Sequence, residues 1–311
     1  MNEPKGHHFL PKNLYLKPFI FSRDNPRIWV HEKGKEPDHR HWDHVAKINE
    51  LHSIRRSTGE LDRSLERYLA EAEGDLAPII DGVVENRGDI KLSPEERQRF
   101  AVFVGMMFVR TPRYFEQNKT LAAELKKMTD SALQGDKQPF LNFLKKTKTD
   151  SEKFFKSVNL EKVSKWINDP QVYDHFHLIF LESHALAHAK VLYEKMTWTF
   201  LVPEEGTEFI TSDNPVSICH VTEQSMRDAY AIGDQEAQIY FPIGPKLCFQ
   251  AYHGDSGIDR RWSTFTYRTE KRFVDNINTR TAAFAQKYAY SHTHMDLQPY
   301  FNSKDLISVR G

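Results

Sequence analysis

The sequence predicts an α+β fold in which a helical body packs against a mainly antiparallel sheet formed by the C-terminal part of the chain. Apolar residues recur every three or four positions in the helical segments, as they do on the buried face of a helix. Short β-branched and aromatic runs then follow one another over residues 197–291, separated by proline and glycine turns. The 311 residues suffice for one large domain or two smaller ones. We expect a single domain over residues 1–311, with residues 197–291 as its sheet-rich half.

The charge balance bears on the kind of partner. The chain has 43 basic and 43 acidic residues, so no overall field attracts nucleic acid or an anionic membrane. This balance does not exclude a local basic patch. Cys219 and Cys248 are the only two cysteines and lie in apolar runs, which favours two buried thiols over a disulfide framework or a cysteine zinc site. The chain shows no signal-peptide pattern and no apolar run of about eighteen residues. We therefore expect a cytoplasmic protein that is not inserted in a membrane.

The first 21 residues are too apolar for a free tail. His7 and His8 precede Phe9-Leu10-Pro11, and further apolar residues follow, so this segment is expected to pack into the core. Consecutive side chains on a regular element point apart, so only one of the two histidines can serve a given site. We favour His8, because it adjoins the apolar anchor. The alternative is that the two histidines form a surface pair.

A strand and a histidine cluster come next. Arg27–His31 is predicted as a strand. His39, His41 and His44 then lie close together, but charges of both signs surround them. A solvated loop explains this stretch more simply than a metal site, since loose histidine clusters lack a fixed ligand geometry.

Two helices follow. The pattern from Glu60 to Ile80 is helical, with Pro78 as a point where the helix is kinked or split. Glu66 fits the wet face of this helix, whereas Glu73 stands before a glycine and an apolar run. The start at Ser93-Pro94-Glu95-Glu96 is a capping box, and the helix it opens is apolar nearly all round, so it should be central. This helix ends at Arg110, which either complements the helix dipole or emerges from the core as a clamp for a phosphate or carboxylate.

The middle of the chain is helical. Residues 116–168 are rich in lysine and glutamate and are expected to form a peripheral helical insert. A long helix is predicted from Asp169 to about Met196. It carries His184 and His188 four residues apart, a spacing that places two imidazoles on one helical face. They are candidate metal ligands, with core-edge histidines as the alternative.

The most distinctive stretch is Phe209–Val216. Trp198–Val202 and Phe209–Thr211 are predicted to pair as a hairpin, after which the chain breaks into Ser212-Asp213-Asn214-Pro215. Asp and Asn next to Pro are good turn chemistry by themselves. The functional interpretation is that Asp213, held at a strand end, acts as a general base or metal ligand.

Further strands are predicted at Gln238–Ile243, Lys246–Tyr252, Phe265–Tyr267 and Tyr288–Ser291. A helix is predicted between the last two, from about Glu270 to Gln286. An asparagine on its inward face, such as Asn278, could bond the Ser-Asp-Asn-Pro turn. The last fifteen residues are expected to be a loose tail.

The order of these motifs resembles a known family. It runs through His-His-Phe-Leu-Pro near the start, Glu73 before Ala77-Pro78-Ile79-Ile80, Arg110-Thr111-Pro112-Arg113, Thr211–Val216, Phe241–Lys246, and Asn278 before Tyr288–Ser291. This order resembles the mostly bacterial family called domain of unknown function 4238, over nearly the whole chain apart from residues 116–168. The first and fourth motifs are the most specific, and the family commonly has Tyr where Phe9 stands here. The resemblance implies no particular reaction.

The functional expectation is a hydrolase that cuts a phosphodiester or related bond of an anionic substrate, such as a nucleic acid or nucleotide, with bacterial defence as one setting. A histidine with carboxylates and an arginine supplies proton transfer and charge stabilisation, and the same set could hold a divalent metal. The candidate catalytic residues are His8, Asp213, Glu73 and Asn214. The candidate substrate-binding residues are Arg110, Asn278 and Lys246, and the candidate metal ligands are His184 and His188.

A second hypothesis is a non-enzymatic binding or regulatory protein, such as a component of a defence or toxin–antitoxin system. In that case the polar motifs are structural. Catalytic groups should line one cleft, whereas structural ones should be scattered and saturated by backbone bonds.

Overall fold

The structure, a computed structural model, describes residues 6–22, 24–146, 151–220, 232–254 and 264–301. Helices, together with strands that are mostly antiparallel, make up these ranges, which confirms the α+β class. None of the helices in these ranges combines the length and the hydrophobicity needed to cross a lipid bilayer.

The larger sheet has five strands. They are β7 (Met196–Pro203), β9 (Ser217–His220), β10 (Ala237–Gly244), β11 (Leu247–His253) and β12 (Thr264–Thr269). Their order across the sheet is β12-β7-β11-β10-β9. The pairs are antiparallel, apart from β12, which runs parallel to β7.

A second sheet joins the two ends of the described chain. Its strands are β2 (Arg27–Glu32), β3 (Asp38–His41), β8 (Thr211–Ser212) and β13 (Tyr288–Ser291), in the order β3-β2-β13-β8. The predicted hairpin was wrong, because β7 and β8 lie in different sheets. Phe209 donates its N–H to the Pro245 carbonyl, and β8 pairs with β13.

Two short ribbons complete the β structure. The first pairs β1 (Gly6–His8) with β4 (Lys47–Asn49), and the second pairs β5 (Ile54–Arg55) with β6 (Leu61–Asp62). The β1–β4 ribbon brings the N-terminal histidines against the helical body. The predicted packing of the N-terminal segment is confirmed, since Leu10, Tyr15 and Phe19 are wholly buried.

The helices are α1 (Ser64–Glu85), α2 (Pro94–Val109), α3 (Pro112–Leu133), α4 (Gln138–Lys146), α5 (Ser151–Ser157), α6 (Leu160–Ile167), α7 (Pro170–Asp174), α8 (Phe176–Ile179), α9 (Leu181–Lys195), α10 (Lys271–Phe284) and α11 (Gln298–Phe301). Pro78 lies inside α1 without ending it. The predicted long helix from Asp169 is instead α7, α8 and α9. His175 and Phe180 leave helical geometry at the two breaks, and His175 accepts a hydrogen bond from the Arg55 N–H.

Helix α2 is the centre of the molecule, as predicted. Its capping box is formed: Ser93 Oγ accepts from the Glu96 N–H, and Glu96 accepts from the Ser93 N–H. On one side Gly105 lets α9 approach so closely that a Cβ there would lie 2.3 Å from the Ala185 carbonyl oxygen. On the other side, Phe100 packs against the aromatic rings of the five-stranded sheet.

The region predicted as an insert, residues 116–168, contributes to two smaller apolar clusters that are distinct from the main core. One contains Met128, Phe140 and Leu144, and the other contains Ala122, Ile167 and Phe176. The assignment of these residues as an insert stays a prediction.

A buried histidine between β2 and β13 predicts acid sensitivity. His31 is 0% exposed and its Nε2 lies 2.8 Å from Ser291 Oγ. Burial above all, with His294 adding to it, lowers the pKa of His31 to about 4. Between this value and the ordinary pKa near 6.5 the unfolded chain binds the extra proton, so the contribution of His31 to stability falls as pH falls. By linkage the loss is about 2 kcal/mol at pH 5.

The variant His31→Gln keeps a polar partner for Ser291 but does not titrate. Urea unfolding at pH 7.5 and pH 5 should show a smaller acid-induced loss of unfolding free energy in this variant than in the wild type. His41→Gln, which changes a one-third exposed histidine, is the control. Equal acid sensitivity of His31→Gln and the wild type would contradict the assignment.

Candidate metal centre

Strand β1 divides its two histidines between opposite faces. His7 is buried at 1% exposure and points to the turn after β4, whereas His8 is half-buried on the other face. The ring of His7 is fixed because its Nδ1 accepts the main-chain N–H of His52 at 3.0 Å. The local geometry of a strand thus selects His7, not His8, for the interior.

His52 and Glu66 complete a compact group with His7. His52 follows β4 and is 0% exposed, and Glu66 lies in the first turn of α1. His52 Nδ1 is 2.6 Å from Glu66 Oε2, and His7 Nδ1 is 3.6 Å from the same oxygen. The two imidazole rings stack with 5.7 Å between their centroids. One ligand atom of each residue lies within 4.8 Å of the other two, so the three side chains could hold a metal ion.

The protonation states suit a metal. Burial above all lowers the pKa of His52 to about 4, against the hydrogen bond to Glu66, which raises it. Burial disfavours the Glu66 carboxylate, but the hydrogen bond from His52 and the nearby His7 and Arg110 hold the pKa of Glu66 below its ordinary value. At neutral pH the group is therefore neutral His52 beside an ionised Glu66, and metal ligands need these forms. The short contact requires a proton on His52 Nδ1, which leaves its buried Nε2 as an unpartnered lone pair.

The donor set is informative. Two histidines and one glutamate form one of the ligand sets of catalytic zinc sites, in which the fourth position is left for water or substrate. The Glu66 side chain is 33% exposed, so solvent reaches the group from that side. The three residues therefore have the donor types of a metal site with an open coordination position, and Glu66 is the member of the group that solvent reaches.

A buried arginine lies near this group and bonds two of the elements that carry it. Arg110 follows the last turn of α2 and is 2% exposed. Its Nη1 lies 2.6 Å from Glu73 Oε1 and its Nη2 donates to the His8 carbonyl at 3.1 Å. The structure thus brings together three residues singled out in the sequence, with His8 contributing its main chain. The contacts tie α2 to α1 and β1.

The side chain of His8 lies elsewhere. Burial, followed by the positive charges of Lys47 and Lys12, lowers the pKa of His8 to about 4. In the described part of the chain no hydrogen bond or ion pair joins His8 to Asp213. Asp213 lines a cavity of about 460 Å³ together with Phe9, the residue that follows His8 in the sequence.

Asp213 is an acceptor for the main chain. Its Oδ1 accepts the N–H of Gln286 at 2.7 Å, and its Oδ2 accepts those of Lys287 at 2.7 Å and Tyr288 at 2.8 Å. Burial raises the pKa of Asp213, and the three N–H donors oppose this rise. With 2% of its surface exposed, the carboxylate holds the end of α10 against the turn after β8.

The other polar candidates also bond the main chain. Asn214 Nδ2 donates to the Phe284 carbonyl at 3.2 Å. Asn278 accepts from the Ile210 N–H and donates to the Glu208 carbonyl, close to the turn that we expected it to bond. Lys246 Nζ donates to the Thr207 carbonyl at 2.7 Å. None of these bonds involves His7, His52 or Glu66.

The histidine pair on α9 is not completed by a third ligand. His184 Nδ1 lies 2.8 Å from the Tyr114 hydroxyl, and His188 stacks on Phe108 at 4.8 Å. His188 shares a cavity of about 180 Å³ with Asn214. Among the described residues the His7–His52–Glu66 group has the only set of three ligand atoms within metal-binding reach, so neither this pair nor His39, His41 and His44 forms one.

Sequence reasoning missed His52 and Glu66 as site residues and favoured His8 over its neighbour. Glu66 had the pattern of a wet helical face, and His52 stands in no motif. The alternation of β1 is the one local signal, because it separates His7 from His8. It does not say which of them faces the interior.

Comparison with known proteins gives one assignment. The model of a family described as a protein of unknown function, DUF4238, matches residues 6–295. No curated protein and no solved structure matches the chain. The match spans both β1 and β13, and so it covers the whole candidate site. The chain belongs to the DUF4238 family.

Proposed function

We propose that the protein is a metal-dependent hydrolase of an anionic substrate, in which His7, His52 and Glu66 hold a divalent cation. The observation that carries the proposal is the mutual reach of three ligand atoms within 4.8 Å. A cation held there would displace the proton between His52 Nδ1 and Glu66, since metal binding at neutral pH generally releases protons. The histidine–glutamate donor set favours zinc over magnesium, which prefers oxygen ligands.

The expected chemistry is hydrolysis. A divalent cation held by this group would supply Lewis-acid chemistry, which activates water as a nucleophile and stabilises negative charge on a phosphoryl oxygen. The His7–His52–Glu66 group would hold the cation, and Glu66 would mark the side from which substrate enters.

The choice of an anionic substrate rests on Arg110, whose buried positive charge is close enough to lower the pKa of both His52 and Glu66. Arg55 and Arg56, which come shortly before α1, have more than half of their side-chain surface exposed and are paired with Glu50 and Asp62, respectively. A phosphate would compete with these two carboxylates for the guanidinium groups, and nucleic acid or a nucleotide is the substrate class we favour.

The test combines metal content with hydrolysis. The purified full chain should bind about one zinc equivalent by mass spectrometry of metals. It should then hydrolyse bis(p-nitrophenyl) phosphate or labelled single-stranded RNA or DNA. EDTA should abolish the activity and added zinc or manganese should restore it. His52→Ala and Glu66→Gln should each lose more than about tenfold in metal affinity and activity.

The matched control is Glu71→Gln, which changes an exposed glutamate on the same helix. It should keep both metal and activity. Full metal occupancy in His52→Ala and Glu66→Gln, or hydrolysis that survives EDTA, would overturn the proposal.

A second candidate function is a binding or regulatory protein with a structural metal. The observation that favours it is that the side chains of Asp213, Asn214 and Asn278 all bond main-chain groups. Metal bound by the wild type without any hydrolysis, together with a lower melting temperature after EDTA, would support this alternative.

A further inference from the structure

The cavity that Asp213 and Phe9 line lies on the opposite side of the β1–β4 ribbon from the candidate metal centre. Its volume is about 460 Å³, within the range of small-molecule sites. Its walls come from this ribbon, from β2 and β13 of the four-stranded sheet, and from the start of α3. The apolar part of its lining is Phe9, Val30, Val45, Ala46, Ile48, Pro112 and Tyr290. His7, His52 and Glu66 are not among the lining residues, so the cavity is separate from the candidate metal centre.

Three cations line the cavity: Arg40, Lys47 and Lys287. The Nε of Arg40 donates to Asp38 at 2.7 Å, which leaves the Nη donors of the guanidinium for a ligand. Lys287 lies 3.5 Å from Glu32 and over the Tyr288 ring. Lys47 makes no ion pair with the described residues. Neither Asp38 nor Glu32 lines the cavity, so its charged lining is three cations and the Asp213 carboxylate.

The carboxylate has one acceptor position left. Each carboxylate oxygen offers about two lone-pair sites. Asp213 Oδ2 accepts two N–H groups, whereas Oδ1 accepts only that of Gln286. A ligand hydroxyl or amino group can therefore donate to Oδ1, whose position the three main-chain bonds fix in advance.

We infer that this cavity binds a nucleoside monophosphate. The phosphate dianion meets Arg40, Lys47 and Lys287, the base lies against the apolar wall, and a ribose hydroxyl donates to Asp213 Oδ1. The combination of three cations with one acceptor-only carboxylate selects a ligand that carries both an anion and a separate donor. The inference goes beyond the proposed hydrolase, because it needs neither the metal nor catalysis.

The experiment is isothermal titration calorimetry of the full chain with 5′-AMP, in EDTA so that metal-dependent hydrolysis is absent. One AMP should bind per chain. Adenosine and inorganic phosphate, each of which lacks one half of the recognition, should bind at least about tenfold more weakly, a difference of about 1.4 kcal/mol. Lys47→Gln should weaken AMP binding by a similar factor.

Two further variants sharpen the test. Gly6→Ala keeps all charges but displaces the side chain of Lys47. A Cβ at Gly6 would lie 1.8 Å from Lys47 Cε, near the end of that flexible side chain, which must therefore move. It should weaken AMP binding as Lys47→Gln does. Lys91→Gln, a change of an 82% exposed lysine, should not alter binding.

Absence of AMP binding, equal affinity for AMP and inorganic phosphate, or unchanged binding by Lys47→Gln would each overturn the inference. Because the titration is done in EDTA, these results are independent of the metal centre. Failure of the hydrolase proposal would in turn leave AMP binding unaffected.

Discussion

Replacing Asp213 by alanine is expected to lower the free energy of unfolding by about 4 kcal/mol. The variant removes a buried carboxylate that accepts the N–H groups of Gln286, Lys287 and Tyr288. A hydrogen bond to a charged group contributes about 1.5–3 kcal/mol, and three such losses add incompletely, because the turn relaxes and water reaches its exposed residues Gln286 and Lys287. Urea unfolding followed by circular dichroism at pH 7.5 measures the change.

The matched control is Asp81→Ala, in which the lost carboxylate is 52% exposed and has one ion pair, with Lys17. It should change stability by less than about 1 kcal/mol. Asp213→Asn should fall between the two, since its carbonyl oxygen still accepts while its amide faces a donor. If Asp213→Ala unfolded like the control, the carboxylate would not be the anchor of this turn.

The second large effect is expected at the buried ion pair. Glu73→Ala should lower the free energy of unfolding by about 3 kcal/mol, because it leaves the Arg110 guanidinium buried at 2% exposure without its ion-pair partner. Arg110→Met should cost less, since the remaining Glu73 is 24% exposed and water can hydrate it. Urea unfolding of both variants measures this asymmetry.

The double variant Arg110→Met with Glu73→Leu isolates the pair. It should be more stable than the sum of the single losses predicts, by about 1–3 kcal/mol, as expected for residues in direct contact. Glu71→Ala on the same helix is the control for loss of a glutamate. Additive losses in the double variant would show that the two charges do not stabilise each other.

The parts of the fold that sequence reasoning predicted are those specified locally. The capping box at Ser93 defines the start of α2 by itself, and the strand at Arg27–His31 has its own β-branched pattern. Pairing between distant segments has no such local signal. Phe209–Thr211 is predicted to pair with Trp198–Val202, its neighbour along the chain, whereas β8 pairs with β13.

The candidate site could likewise be predicted only where a residue has a local sequence signal. Arg110, Glu73 and Asp213 could be singled out because each is a charged residue beside an apolar run. Their partners are largely main-chain groups or distant side chains, which no motif encodes. The metal-binding set is drawn from a strand, a turn and a helix with no fixed spacing, so only the folded arrangement reveals it.

The four-stranded sheet has a consequence for how the chain matures. Strand β2 pairs with β3 on one side and with β13 on the other, and β13 is synthesised long after β2. Until β13 has been made, one edge of β2 therefore has unpaired N–H and C=O groups, and such an edge is a template for association with other chains. Contacts of such long sequence separation also form slowly. We therefore expect expression at low temperature, where translation is slower, or together with a chaperone that covers this edge, to change the fraction of newly made protein that reaches the native state.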